Sequence, residues 1–204
     1  MITVADVPTI VSVMALVVSL FTAWFTIFRR GTVRSTHPSL VAFRYDFVGQ
    51  KVPQAKIFLR MLLFSTGKRG QVVENLFLRV CEGARQSEFS VWGYDENKGL
   101  VPGSGLFVPE TGVAANHHFN PTDADCVFLF SEGSYSLELV AKLVGRKQFV
   151  PLWSGVMQVP SGALDSPPVR EVVIFFRWSP DQGRYIVNRE SRSEGRADVL
   201  FENL

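Results

Sequence analysis

The sequence predicts an all-β domain, an antiparallel β-sandwich of about eight or nine strands, carried behind a single N-terminal transmembrane α-helix. Three observations lead there. The run from Val7 to Phe28 carries no ionisable side chain. From Leu40 onward apolar residues recur with period two, as half-buried strands require. Gly, Pro, Asp and Ser turns punctuate these segments without helical patterns between them, which leaves no crossover helices for a parallel α/β arrangement.

The helix comes first. Residues 7–28, VPTIVSVMALVVSLFTAWFTIF, would rise about 33 Å at about 1.5 Å per residue, against roughly 30 Å of bilayer hydrocarbon. A cleavable signal peptide wants a basic start and a small-residue cleavage site. Here Asp6 is the only charged side chain before the run, which ends in Trp24, Phe25, Ile27 and Phe28, then Arg29-Arg30. The run is apolar nearly all round, unlike an amphipathic core helix. Arg29, Arg30 and Arg34 follow it and no Lys or Arg precedes it, so the positive-inside rule expects a single-pass protein with residues 1–6 outside and the C-terminal domain cytoplasmic. Trp24 is expected at the headgroup level of the cytoplasmic face. Ser12, Ala15, Ser19, Thr22 and Thr26 share one seam of the helix at alternating spacings of three and four. Small and hydroxyl side chains on one stripe allow close helix approach in lipid. The expected partners are therefore the bilayer itself and, through this seam, a second copy or another membrane protein.

Residues 29–38, RRGTVRSTHP, read as a juxtamembrane basic linker without periodic pattern. The β-domain then spans 39–190. In LVAFRYDF, Val41, Phe43, Tyr45 and Phe47 share one face; in KIFLRMLLFST both faces are apolar, as in a central strand. The turn Gly67-Lys68-Arg69-Gly70 leads into QVVENLFLRVC, with Val72, Leu76, Leu78 and Val80 on one face, and the two runs are expected to pair as a hairpin. Arg60 and Glu74 would then meet as a structural ion pair. Further strands are expected at 88–94, 126–130, 134–145, 148–159, 169–178 and 183–190, with Ser179–Gly183 as a turn in which Pro presets φ and Gly accepts positive φ. The stretch Gly99–Asp125 has three prolines and four glycines and reads as a long connection, the place to look for a site. Residues 191–204 read as a flexible tail ending in Val199, Leu200, Phe201 and Leu204.

Charge narrows the function classes. Of 21 basic residues, 18 remain once Arg29, Arg30 and Arg34 are set aside; of 19 acidic ones, 18 remain without Asp6. A balanced domain lacks the basic surplus of a nucleic-acid binder, and no such partner is expected. Cys81 and Cys126 lie within apolar strand patterns, as reduced cysteines of a cytoplasmic domain do, although a disulfide between them would place the domain on the other side.

Motifs for chemistry are sparse. His117 and His118, with Asp123 and Asp125, form the one cluster with metal-ligand chemistry, but adjacent histidines on a strand point to opposite faces, and no HExxH or CxxC spacing accompanies them. Ser104 sits in a Gly-Ser-Gly turn rather than a nucleophile elbow. Phosphate-binding loops are absent and no cofactor is expected. The expectation is thus a noncatalytic, membrane-anchored binding or assembly module whose β-domain is the recognition surface. One alternative is a sensor-effector whose domain binds a signal and whose helices cluster to perturb the membrane; another is a metal-dependent hydrolase built on the His117 cluster.

Overall fold

The computed structural model describes residues 6–28, 31–46, 53–96, 99–102, 105–123, 127–164 and 172–191. Helix α1 (Asp6–Ala23) runs into a π-helical turn (Trp24–Phe28). Pro8–Thr26 is long and apolar enough to cross a membrane, and none of it is buried against the rest of the chain. The hydroxyls of its small-residue seam turn back onto the helix: Ser12 donates to Pro8 O, Ser19 to Ala15 O and Thr22 to Val18 O, each at 2.8 Å, and Thr26 to Thr22 O at 2.7 Å. Bonding to the carbonyl four residues back satisfies each hydroxyl without a second helix. What the seam offers a neighbour is small-side-chain packing.

The domain contains β1 (Val33–Ser35), β2 (Leu40–Asp46), β3 (Gln54–Ser65), β4 (Gln71–Glu82), β5 (Arg85–Glu96), β6 (Gly99–Pro102), β7 (Leu106–Val108), β8 (Val113–Pro121), β9 (Gly133–Leu143), β10 (Phe149–Val159), β11 (Val172–Ser179) and β12 (Arg184–Ser191). The all-β expectation is met. The strands do not divide into two hydrogen-bonded sheets, however. They form one sheet in the order β10-β9-β4-β5-β8-β3-β2-β11-β12, with β1 on β3, β6 on β5 and β7 on β4. Every pairing is antiparallel. Strands of 11 or 12 residues in β3, β4, β5, β9 and β10 accumulate right-handed twist, and bulges sharpen the bend. Register shifts at Val73/Asn75, Val91/Gly93 and Pro151/Trp153 mark them. The sheet curls until its two edge strands approach, leaving a barrel that is nearly closed.

One face of the curled sheet supplies the main core. Phe43, Ile57, Leu59, Leu78, Phe89, Phe119, Leu137, Leu139, Met157, Ile174 and Phe176 are all buried in a single cluster. A second, small cluster of Ala42, Phe58, Val173 and Phe175 lies on the opposite face of β2, β3 and β11. This bears out the two-sided apolar character of β3, which sits between β2 and β8.

Five local expectations are corrected. β3 and β4 are joined by the 66–70 turn but are not neighbours: β5 and β8 lie between them. Consequently Arg60 and Glu74 do not pair across a hairpin, and both are exposed. The bulge at Val73/Asn75 explains Glu74's position on an apparently apolar face. It shifts the phase so that Val73, Leu76, Leu78 and Val80 point inward while Val72 and Glu74 point out. The stretch 99–125 is mostly strand, comprising β6, β7 and the interior strand β8. Within the supposed linker 29–38, β1 already pairs with the end of β3.

Residues 127–130 were expected as a strand and join no ladder among the described residues. They cross one end of the barrel with Phe128 and Phe130 buried and Val127 and Leu129 exposed. Phe130 stacks on Phe43 at 4.6 Å between ring centroids, its N–H donates to Tyr45 Oη at 2.7 Å, and the Arg85 guanidinium lies 4.3 Å above Phe128. Burial pushes the Tyr45 phenol up to about 12, so it stays neutral. Glu82 accepts from Tyr135 Oη at 2.9 Å and from Ser131 Oγ. This plug marks the far end. At the other end, where the chain arrives from the helix, Gly31 is buried so closely against the 66–70 turn that an added Cβ would overlap the Gly67 nitrogen.

Candidate functional site

The seam where the barrel fails to close is the feature that the fold leaves most open to a partner. Its direction follows from strand count. Each of the nine strands on the sheet path runs antiparallel to its neighbour, so the first and last, β10 and β12, run the same way. Closing the barrel directly would require a parallel pair. Among the described residues none forms, and β10 and β12 each pair along one edge only. They meet instead through side chains: Trp153 on β10 and Tyr185 on β12 pack edge to face at 6.0 Å.

An aromatic wall continues from that contact. Trp178 packs on Tyr185 at 5.0 Å and stacks on His37 at 4.3 Å with the rings 7° apart. Tyr185 Oη donates to Pro38 O at 2.9 Å, and Trp178 N donates to Ser39 O at 3.2 Å. These bonds fix the turn between β1 and β2 against β11 and β12. Burial holds the Tyr185 phenol well above its ordinary value, so it remains a donor. Across the gap, Ser35 Oγ donates to Leu152 O at 3.0 Å. A groove of about 400 Å³ runs beside β10, lined by Ser35, His37, Glu138, Pro151, Leu152, Trp153 and Ser154. Trp153 Nε1 is buried and finds no acceptor among the described residues. Val156 and Ile186, 55% and 41% exposed, add apolar side chains on the two strands flanking the gap.

No protein-family model and no curated protein matches the chain.

The residues singled out by chemistry lie elsewhere. His117 is fully buried on the inner face of β8, opposite Leu59, while His118 turns to the outer face and meets the Phe58 ring edge-on at 5.1 Å. Burial, with a contribution from His118, lowers the His117 pKa to about 4. Asp123 is exposed beyond the end of β8, and Asp125 lies outside the described residues. Among the described residues no three metal-ligating side chains come together. Cys81 is a half-buried free thiol; Cys126 and Ser104 lie outside the described residues.

Ser12, Ala15, Ser19 and Thr22 fall within α1 and Thr26 in the π-helical turn, which also carries Trp24, 60% exposed. Arg34 is exposed on β1, and Arg29 and Arg30 lie outside the described residues, as does nearly all of the tail. The seam was not foreseen. Its aromatic residues stand at 37, 153, 178 and 185, with no spacing rule to connect them.

Proposed function

We propose that the chain is a membrane-anchored binding module that takes up an extended polypeptide segment in the open seam of its barrel. The carrying observation is the common direction of β10 and β12. A single added strand can run antiparallel to both and close the barrel without a parallel pair, once the Trp153–Tyr185 contact parts to leave roughly 10 Å between β10 and β12. Main-chain hydrogen bonds would supply affinity. The groove, the Trp153 indole N–H, and Val156 and Ile186 would read the segment's side chains and carbonyls.

The tether is α1 with its π-helical turn. Its length and apolar character support a membrane span, and Arg29, Arg30 and Arg34 support a cytoplasmic barrel. Binding is the reading, because the groove's ionisable side chains are engaged elsewhere: His37 stacks on Trp178, and Glu138 accepts from Arg79 Nη1 at 3.1 Å.

A photocrosslinking amino acid placed at Val156, and separately at Ile186, in the full-length chain in its native membrane tests the seam. The expected result is an adduct of the same mass from both positions and none from Ala114 on β8. Adducts of different mass at the two seam positions, or none, would overturn strand uptake. A mass equal to two copies would make the segment the chain's own.

A further inference from the structure

We propose that the helix-side end of the barrel is a docking face for anionic lipid headgroups, holding the domain down on the leaflet from which its anchor emerges. This rests on the membrane-anchored reading above and adds a second contact between protein and bilayer, made by the barrel itself.

Connectivity places the face. The π-helical turn ends at Phe28 and the domain is already fixed at Gly31, three residue steps later, a reach of about 10 Å at most. Gly31 cannot swing away. It is buried against the 66–70 turn, its carbonyl accepts from Arg146 Nη2 at 2.7 Å, and the next residue pairs with Thr66 through Thr32 N to Thr66 Oγ1 and Thr66 N to Thr32 O, each at 2.9 Å. The 66–70 turn and the 144–148 turn are thus clamped to the chain as it leaves the helix. Another turn at this end, 109–112, is bonded to the first through Ser65 N to Pro109 O at 3.0 Å.

Those turns carry the charge. Lys68 and Arg69 lie in the first and Arg146 and Lys147 in the second, against Glu110 in 109–112 and Asp181 in the β11–β12 turn at the same end. The far end is close to balanced among the described residues, with Asp46, Glu82, Asp123 and Glu132 beside Arg44, Lys56 and Arg85. In a domain without net bias, the turns on the side from which the helix arrives thus carry a surplus of cations. Lys142 braces the second turn, donating to Lys147 O at 2.8 Å and lying 5.5 Å above the Phe149 ring.

Apolar side chains stand among these cations: Phe107, Val144 and Phe149 are 55%, 59% and 47% exposed. Phe107 packs over the 66–70 turn at Gly70. Cations interleaved with exposed apolar side chains fit the headgroup boundary of an anionic leaflet, where lysines and arginines meet phosphate and apolar side chains reach the upper acyl region.

The full-length chain in nanodiscs of neutral lipid, and in nanodiscs with a third of the lipid anionic, tests this by hydrogen exchange. Peptides covering 66–70 and 144–148 should exchange at least tenfold more slowly on anionic lipid, with no change at the far-end turn 82–85, and the difference should disappear when salt is raised toward 1 M. The triple variant Lys68→Glu, Arg69→Glu, Lys147→Glu should lose the protection while staying in the disc; Arg146 is left intact because it holds Gly31. Equal exchange in both lipids by a chain that stays in the disc would overturn the docking face and leave the anchor standing. A chain that alkaline carbonate extracts from its native membranes would overturn the anchor, and the docking face with it.

Discussion

Phe43→Ala is expected to destabilise the barrel by about 3–5 kcal/mol, the usual range for removing a fully buried phenylalanine. Phe43 is 1% exposed and packs against three elements at once. Its ring stacks on Phe130 of the far-end plug, and meets Phe176 on β11 at 5.0 Å and Tyr135 on β9 at 5.5 Å, both edge-on. Truncation removes the ring's transfer energy and leaves a cavity beneath the plug, whose extended backbone has no ladder to hold it in place. Denaturant titration of the full-length chain in mild detergent, followed by tryptophan fluorescence, measures the loss. Leu129→Ala, on the exposed side of the same plug, should cost within about 0.5 kcal/mol. A Phe43→Ala loss as small as that of Leu129→Ala would mean that the plug does not seat on the core.

Acid should weaken the domain through His117. Its folded-state pKa of about 4 lies below the ordinary value of 6.5, burial being the main cause. Between those values the unfolded chain binds a proton that the folded chain refuses, so stability falls as pH falls from about 6.5 and the contribution levels off below about 4. A shift of this size corresponds to about 3 kcal/mol. Above 6.5 both states hold a neutral ring and the effect vanishes. Carboxylates add acid dependence of their own, so the measurement is a comparison: His117→Leu, beside Leu59 on the inner face, should flatten the slope between pH 6.5 and 4 relative to the native chain. Parallel slopes in the two proteins would place the acid sensitivity elsewhere.

Strand positions were legible because alternation of apolar and polar residues survives whatever a strand pairs with. Which strands pair was not. Gly67–Gly70 says that the chain reverses after β3, but a turn residue cannot say whether two other strands will enter between the arms, as β5 and β8 do. The bulge at Val73/Asn75 left only Glu74 in an apolar phase as its trace, and an ion pair with Arg60 was a sufficient local explanation for it. Residues 127–130 do alternate between buried and exposed; alternation reports two-sidedness, and a plug has two sides as a strand does. In 99–125, β6 and β7 have four and three residues, too few for periodicity to register between Pro and Gly. The divergence of His117 and His118 is legible in the sequence, since successive side chains on a strand face opposite ways. The seam depends on Trp153, Trp178, Tyr185 and His37 meeting through sheet curvature, a property of the whole curled sheet that no local window contains.

The sheet order also sets a clock. β2 receives its partner on one side from β3, which begins at Gln54, but its other neighbour β11 begins at Val172. At roughly 5–20 residues per second of synthesis, the interval between finishing β2 and starting β11 is about 6 to 25 seconds. For that time Val41, Phe43 and Tyr45 belong to a strand with an unpaired edge, on a chain whose apolar N-terminal helix has already left the ribosome. Pairings this distant in sequence form late and slowly. The period of greatest exposure to aggregation therefore falls during translation, before the last two strands of the barrel exist.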